Sequence, residues 1–258
     1  MNLPHKLDRT ILIHASRDIV FRYFTDDERW SSWWGAGSTI EPRPGGRVVI
    51  RYPGAVEATG EVVEVAVPER LVFTYGYTSG KPIPAGSSRV TIRLAEAPRG
   101  TRLDLVHELP DAAVRDAHVQ GWRYQLSVFA NLVADDVHRG ADGIAAKWFE
   151  AWSETDATAR RQLLESIANA DVHMRDKYSC IDGVEELTEH IGGAQRFMPD
   201  MHIRQKGTAR HCQGVLLVDW VAASKTGEPK GSGTNVFVLG PDNRIESVTG
   251  FWSALSQG

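Results

Sequence analysis

Tryptophans are the most conspicuous candidates in this chain for lining a functional site. Trp30, Trp33 and Trp34 fall within five residues, Trp122 lies in a long apolar stripe, and Trp148, Trp220 and Trp252 punctuate the C-terminal half. An indole combines a large apolar face with one N–H donor, so such residues either pack a core or line the wall and mouth of a cavity for an apolar ligand. The ionisable groups are scattered by comparison. His107 and Glu108 share a strand-like segment and His118 precedes the apolar stripe, positions that read as rim or surface. His173, His190 and His211 could each supply a base, and Asp219 precedes Trp220 in an apolar run, where a carboxylate must face a pocket or a partner. The first half offers no carboxylate pair, nucleophile–base pair or ligand cluster.

Other chemistries are excluded or unsupported. Cys180 and Cys212 are the only cysteines; they make no disulfide framework and no metal spacing surrounds them, so free buried thiols are expected, with no metal and no cofactor. Residues 1–140 carry 17 Lys/Arg against 17 Asp/Glu, and residues 141–258 carry 12 against 16, for a net charge of −4. Neither half has the basic excess that a phosphate backbone demands, so nucleic acid is not an expected partner. The first eight residues lack an apolar signal core, and no stretch approaches the ~18 apolar residues of a membrane span. A cytoplasmic location without membrane partners is expected.

The elements that must position these residues fall into two programmes, separated by Arg139-Gly140-Ala141-Asp142-Gly143. At 258 residues, two domains are the natural expectation, over 1–139 and 143–258. In the first, residues 8–14 alternate as a strand, Ser16 can cap a helix bearing Val20, Phe21 and Phe24, and strands are expected over 47–52, 56–67, 71–77, 89–95 and 102–109. Val119, Trp122, Leu126, Phe129, Val133 and Val137 then mark one long helix over 111–138. In the second, helices are expected over 144–152, after Thr155 or Asp156, and after Asp182-Gly183. Strands are expected over 171–176, 202–207, 209–213 running on into 215–223, 235–239 and 244–252.

Several motifs in order carry a family resemblance in the first half: Phe24-Thr25-Asp26 with Trp30 and Trp33-Trp34, Pro44-Gly45-Gly46, Gly60-Glu61-Val62, Val67-Pro68-Glu69-Arg70-Leu71-Val72-Phe73, and Gly121-Trp122. Residues 8–138 resemble the START-like superfamily, and within it the domains named after the activator of the heat-shock-protein-90 ATPase. The resemblance implies an α+β helix-grip fold, in which a curled sheet encloses a space against a long helix; a co-chaperone role does not transfer with the fold.

The second half, over 143–254, resembles the SnoaL-like branch of the nuclear-transport-factor-two-like superfamily through Trp148 to Asp156, Ala170-Asp171-Val172 with Arg175-Asp176, Asp182-Gly183, Asn243-Arg244-Ile245 and Gly250-Phe251-Trp252. This resemblance implies a cone-shaped α+β barrel around an apolar pocket. It also implies a proton-shuttling carboxylate at Asp176 and polar anchors at the positions of Trp148 and Asn235. The proline that often follows the aspartate is Lys177 here, whose ammonium could sit beside the carboxylate. A homodimer through the outer face of the sheet is also implied.

The expected function is binding of a small hydrophobic ligand in one or both cavities. Trp34 and Trp122 would line the first, and Trp148, Trp220, Asn235, Phe237 and Trp252 the second, with Asp176 catalysing isomerase- or cyclase-type proton transfer if there is catalysis. A protein-interaction module without catalysis is the alternative.

Overall fold

The structure, a computed structural model, describes residues 2–253. It divides into two compact units, Met1–Ala134 and Asp135–Gly258.

The first unit has seven strands: β1 (His5–Ile13), β2 (Thr39–Ile40), β3 (Arg47–Tyr52), β4 (Val56–Ala66), β5 (Arg70–Tyr75), β6 (Ser88–Ala97) and β7 (Gly100–Leu109). They form one antiparallel sheet in the order β1-β7-β6-β5-β4-β3-β2. From β2 to β7 each strand pairs with its successor, as expected when short turns join alternating segments. Alternation decides the faces: in β7, Thr101, Leu103, Leu105, His107 and Leu109 are buried, while Arg102 is exposed.

Helices α1 (Arg17–Arg22), α2 (Asp27–Trp34) and α3 (Ala112–Val137) complete the unit. The Asp26 carboxylate caps α2 by accepting from the Arg29 N–H at 2.9 Å, and Asp111 does the same for α3 through the Val114 N–H at 2.8 Å. Each cap satisfies a donor that the helix cannot and contributes about 1 kcal/mol. Trp30, Trp33 and Trp34, spaced three and four apart on α2, all turn inward. Phe129 of α3 stacks on Phe24 at 5.1 Å and meets the edge of Trp33 at 4.8 Å. Pairs of this kind add about 0.5–1.5 kcal/mol each beyond area burial.

The second unit contains α4 (Ala141–Ser153), α5 (Ala157–Ile167), β8 (Ala168–Arg175), β9 (Cys180–Asp182), α6 (Val184–Phe197), β10 (Met201–Cys212), β11 (Val215–Ser224), β12 (Pro229–Leu239) and β13 (Ile245–Trp252). The sheet order is β10-β11-β12-β13-β8-β9, antiparallel except for the parallel β13–β8 pair. The expected barrel is therefore corrected to an open mixed sheet: β10 and the three-residue β9 are separate edges that do not pair. Helices α4–α6 share one core with the sheet face that carries Leu216, Val218, Trp220, Phe237 and Leu239.

Three further expectations change. β10 runs past residue 207 with a register shift between Lys206 and Arg210, and the hairpin turn to β11 is Gln213-Gly214. Both turn residues have positive φ, 47° and 83°, the left-handed pair whose twist suits a two-residue hairpin. β12 begins at Pro229, well before Asn235. Cys180 and Cys212 are free but exposed rather than buried; both lie on edge strands, where outward-facing positions have no covering layer. Among the described residues, no helix is long and apolar enough to cross a membrane.

Candidate functional site

Each unit holds a cavity of its own. In the first, about 570 Å³ of space lies between α2, the strand ends at Tyr52 and Tyr75, and α3. Its walls include Trp34, Tyr52, Tyr75, Tyr77 and Trp122, and no Asp, Glu, Lys or Arg lines it. The two tryptophans named from the sequence, Trp34 and Trp122, meet edge to face at 5.5 Å.

The polar side of this cavity is a connected set of rings. The Tyr52 and Tyr75 hydroxyls are 3.1 Å apart, and burial pushes both phenols well above their ordinary pKa, so both stay neutral. The Tyr77 hydroxyl lies 3.5 Å from His118 Nε2. His118 Nδ1 is 2.7 Å from the Val114 carbonyl; a carbonyl only accepts, so Nδ1 carries a proton and Nε2 is the atom that meets the phenol.

Behind this set lies His107, whose tautomer its neighbours dictate. The Trp122 indole N–H donates to His107 Nδ1 at 3.0 Å, so the ring proton sits on Nε2, 2.9 Å from Ser88 Oγ. Ser88 Oγ in turn donates to the Tyr75 carbonyl at 2.8 Å. Burial, with a smaller contribution from His118, lowers the His107 pKa to about 3, which keeps the ring neutral. The expectation that His107 and His118 lie at the rim or surface is thus corrected: both are buried. His107 alternates with Leu103 and Leu105 on the inward face of β7, and His118 is four residues before Trp122 on α3. Those spacings were available in the sequence, as were the Tyr75/Tyr77 alternation and the place of Gln125 three residues after Trp122; Tyr52 carried no comparable signal.

In the second unit, about 710 Å³ of space is lined by Asp176, His190, Ser179, Trp152, Met201 and Trp252, among others. Asp176 follows β8. Its Oδ1 accepts from the Tyr178 N–H at 2.7 Å and its Oδ2 from the Trp252 indole N–H at 3.3 Å. His190, on α6, places Nε2 3.1 Å from Ser179 Oγ. The Lys177 ammonium lies 5.2 Å from the centre of the Tyr178 ring.

The remaining residues named from the sequence separate into two groups. Trp220 and Asn235 lie behind Trp252: the Trp220 indole N–H donates to Asn235 Oδ1 at 3.1 Å, and Trp220 and Trp252 meet edge to face at 4.9 Å. Asn235 and Asp176 both flank Gly250, where a Cβ would come within 3.3 Å of Asn235 Oδ1 and 3.0 Å of Asp176 Cβ. Trp148 and Phe237 are fully buried and meet each other at 5.4 Å, in the core rather than among the residues that line the cavity. Asp219 faces away from that core and accepts from Thr234 Oγ1 at 2.6 Å. His173 pairs with Asp182 at 2.6 Å and His211 with Asp135 at 2.8 Å, so of the three histidines considered only His190 lines the cavity.

Residues 14–134 match the family model described as activator of Hsp90 ATPase homolog 1-like protein, and carry an α+β helix-grip domain of that family. No curated protein matches the chain. Among solved structures, the chain is similar to a SnoaL-like family protein from Agrobacterium tumefaciens strain C58, with 25% identity over 43% of this chain and 96% of that one, at a TM-score of 0.42. It is similar to protein MLL2253 from Mesorhizobium loti, with 18% identity over 51% and 98% of the two chains, at a TM-score of 0.46. It is also similar to the Aha1 dimer from Colwellia psychrerythraea, with 14% identity over 47% and 90%, at a TM-score of 0.42.

Proposed function

We propose that the first unit binds a neutral, ring-containing small molecule in its aromatic cavity. The observation that carries this reading is the lining itself: about 570 Å³ walled by indoles and phenols, with no Asp, Glu, Lys or Arg side chain. A charged ligand would lose its hydration there and find no counter-ion, which costs several kcal/mol per ion. A flat apolar ligand instead gains area burial and ring contacts. The test is thermal unfolding and tryptophan fluorescence of the full chain with naphthalene, 2-naphthol and 2-naphthoate. The neutral compounds should quench fluorescence and raise Tm in proportion to the logarithm of their concentration. The anion should do neither. Absence of any response to the neutral compounds would sink the reading.

A second reading concerns the second unit and rests on Asp176, the residue that the SnoaL-like resemblance singles out. Its carboxylate and the His190 imidazole line one cavity, so a carboxylate and a second base are available for proton transfer on an apolar, oxygenated ligand. Trp148, deep in the core, is not a ligand anchor in this reading. Solvent-exchange of enolisable protons in a cyclic ketone, followed by NMR, should fall at least tenfold in Asp176→Asn while circular dichroism shows the fold retained. Equal exchange in wild type and variant would remove Asp176 from the mechanism. The outer face of the same sheet, with Val215 and Phe251 exposed, is where this reading places a homodimer contact. Sedimentation equilibrium of the wild type and Phe251→Glu tests that placement, and a monomeric wild type would refute it.

A further inference from the structure

Two residues of α3 are poor choices for the fold and line the first cavity. Gln125 is more than nine-tenths buried, yet its side chain has no hydrogen-bond partner among the described residues. It sits between Trp122 and Leu126 on the inward stripe of α3, and its amide is open to the cavity rather than held by a protein partner. Gly121 lies one turn earlier in the interior of the same helix, and a Cβ built there would meet nothing within 4 Å. Glycine weakens a helix interior, and no close neighbour requires it at this position. With Ala117, these residues form a row spaced four apart that faces the cavity. Trp34, on another wall, also has a buried indole N–H without a partner.

From this arrangement we infer that the Ala117–Gly121–Gln125 row is the floor on which the ligand's ring lies, and that the Gln125 carboxamide selects a ligand carrying a hydroxyl group. The inference rests on the cavity-binding reading above and adds a specificity-determining residue to it. A carboxamide presents two N–H donors and a carbonyl acceptor. A hydroxyl both donates and accepts, so a single hydroxyl can satisfy both ends of the amide. An ether can only accept, and a hydrocarbon leaves the amide as it is. Gly121 leaves room for the ring to lie against the helix backbone, and the Trp34 N–H offers one more donor to an oxygenated ligand.

The experiment compares the full-length wild type, Gln125→Leu and Gly121→Leu by fluorescence titration with 2-naphthol, 2-methoxynaphthalene and naphthalene. Wild type should bind 2-naphthol roughly five- to tenfold more tightly than either analogue, the worth of about one hydrogen bond to a buried group. Gln125→Leu should lose that preference, keep its affinity for naphthalene and gain thermal stability, whereas a residue kept for the fold would lose stability. Gly121→Leu should lose all three ligands while remaining folded. Equal binding of all three compounds by wild type would overturn the role of Gln125 and leave the cavity reading standing. A wild type that binds none of them would overturn the cavity reading itself. Undiminished binding in Gly121→Leu would refute the row as the floor of the site.

Discussion

Acidification from pH 7 to pH 5 should weaken the first unit through His107 alone by an amount that can be worked out. The ring is fully buried, both its nitrogens are engaged by Trp122 and Ser88, and its pKa is lowered from 6.5 to about 3. In the unfolded chain an ordinary histidine takes up its proton near pH 6.5. The native ring does not until about pH 3. Below pH 6.5 the unfolded state therefore binds more protons, and stability falls as pH falls, down to about pH 3. At pH 5 the two states differ by 1.5 pH units of unfolded-state titration, which at about 1.4 kcal/mol per unit is about 2 kcal/mol lost relative to pH 7. The assay is urea unfolding of the full chain at pH 7, 6 and 5, read at the Trp122 indole N–H resonance so that the first unit is followed by itself. His107→Gln should be less stable at pH 7 and should lose about 2 kcal/mol less than wild type on going to pH 5. Equal losses in wild type and variant, or a His107 NMR titration midpoint above pH 5, would refute the reasoning.

Trp148→Ala should destabilise the second unit by about 3–5 kcal/mol, because it empties a fully buried indole site against Phe237; ligand binding in the first cavity, measured by 2-naphthol titration, should be unchanged. Gly233→Ala should cost about 1–3 kcal/mol or more by denaturant unfolding. A Cβ at Gly233 would lie 2.2 Å from the Phe251 carbonyl oxygen and 2.5 Å from Trp220 Cζ2, so the strand pairing or the indole must shift.

Local pattern accounts for much of what was legible in the sequence. The 3-4 spacing of Trp122, Leu126, Phe129 and Val133 places them on one side of α3, and the alternation of Leu103 and Leu105 places them on the inner side of β7; both sets are buried. The same logic extends to His107, which shares the parity of Leu103 and Leu105, but a polar residue type on an apolar face reads as an edge until its partners are known. Trp122 and Ser88 supply those partners from positions 15 and 19 residues away, and only the pairing of β6 with β7 and the packing of α3 against the sheet bring them together.

Periodicity tells a residue which way to face. It does not tell which part of the interior is filled and which is hollow. Trp34 and Trp148 are both inward tryptophans on short helices, yet one lines a cavity and the other closes a core against Phe237. Gln125 lines the first cavity, and Asp176 shares the second with Trp252 and His190; local spacing shows neither. Whether the second sheet closes into a barrel likewise depended on whether β10 and β9, nearly twenty residues apart, would meet, and they do not. The sequence by itself determined the two-part organisation and the inward faces of its apolar helices and strands. The tertiary structure alone decided where the hollows lie and which polar groups face them, because both depend on the long-range packing of elements whose local patterns look the same.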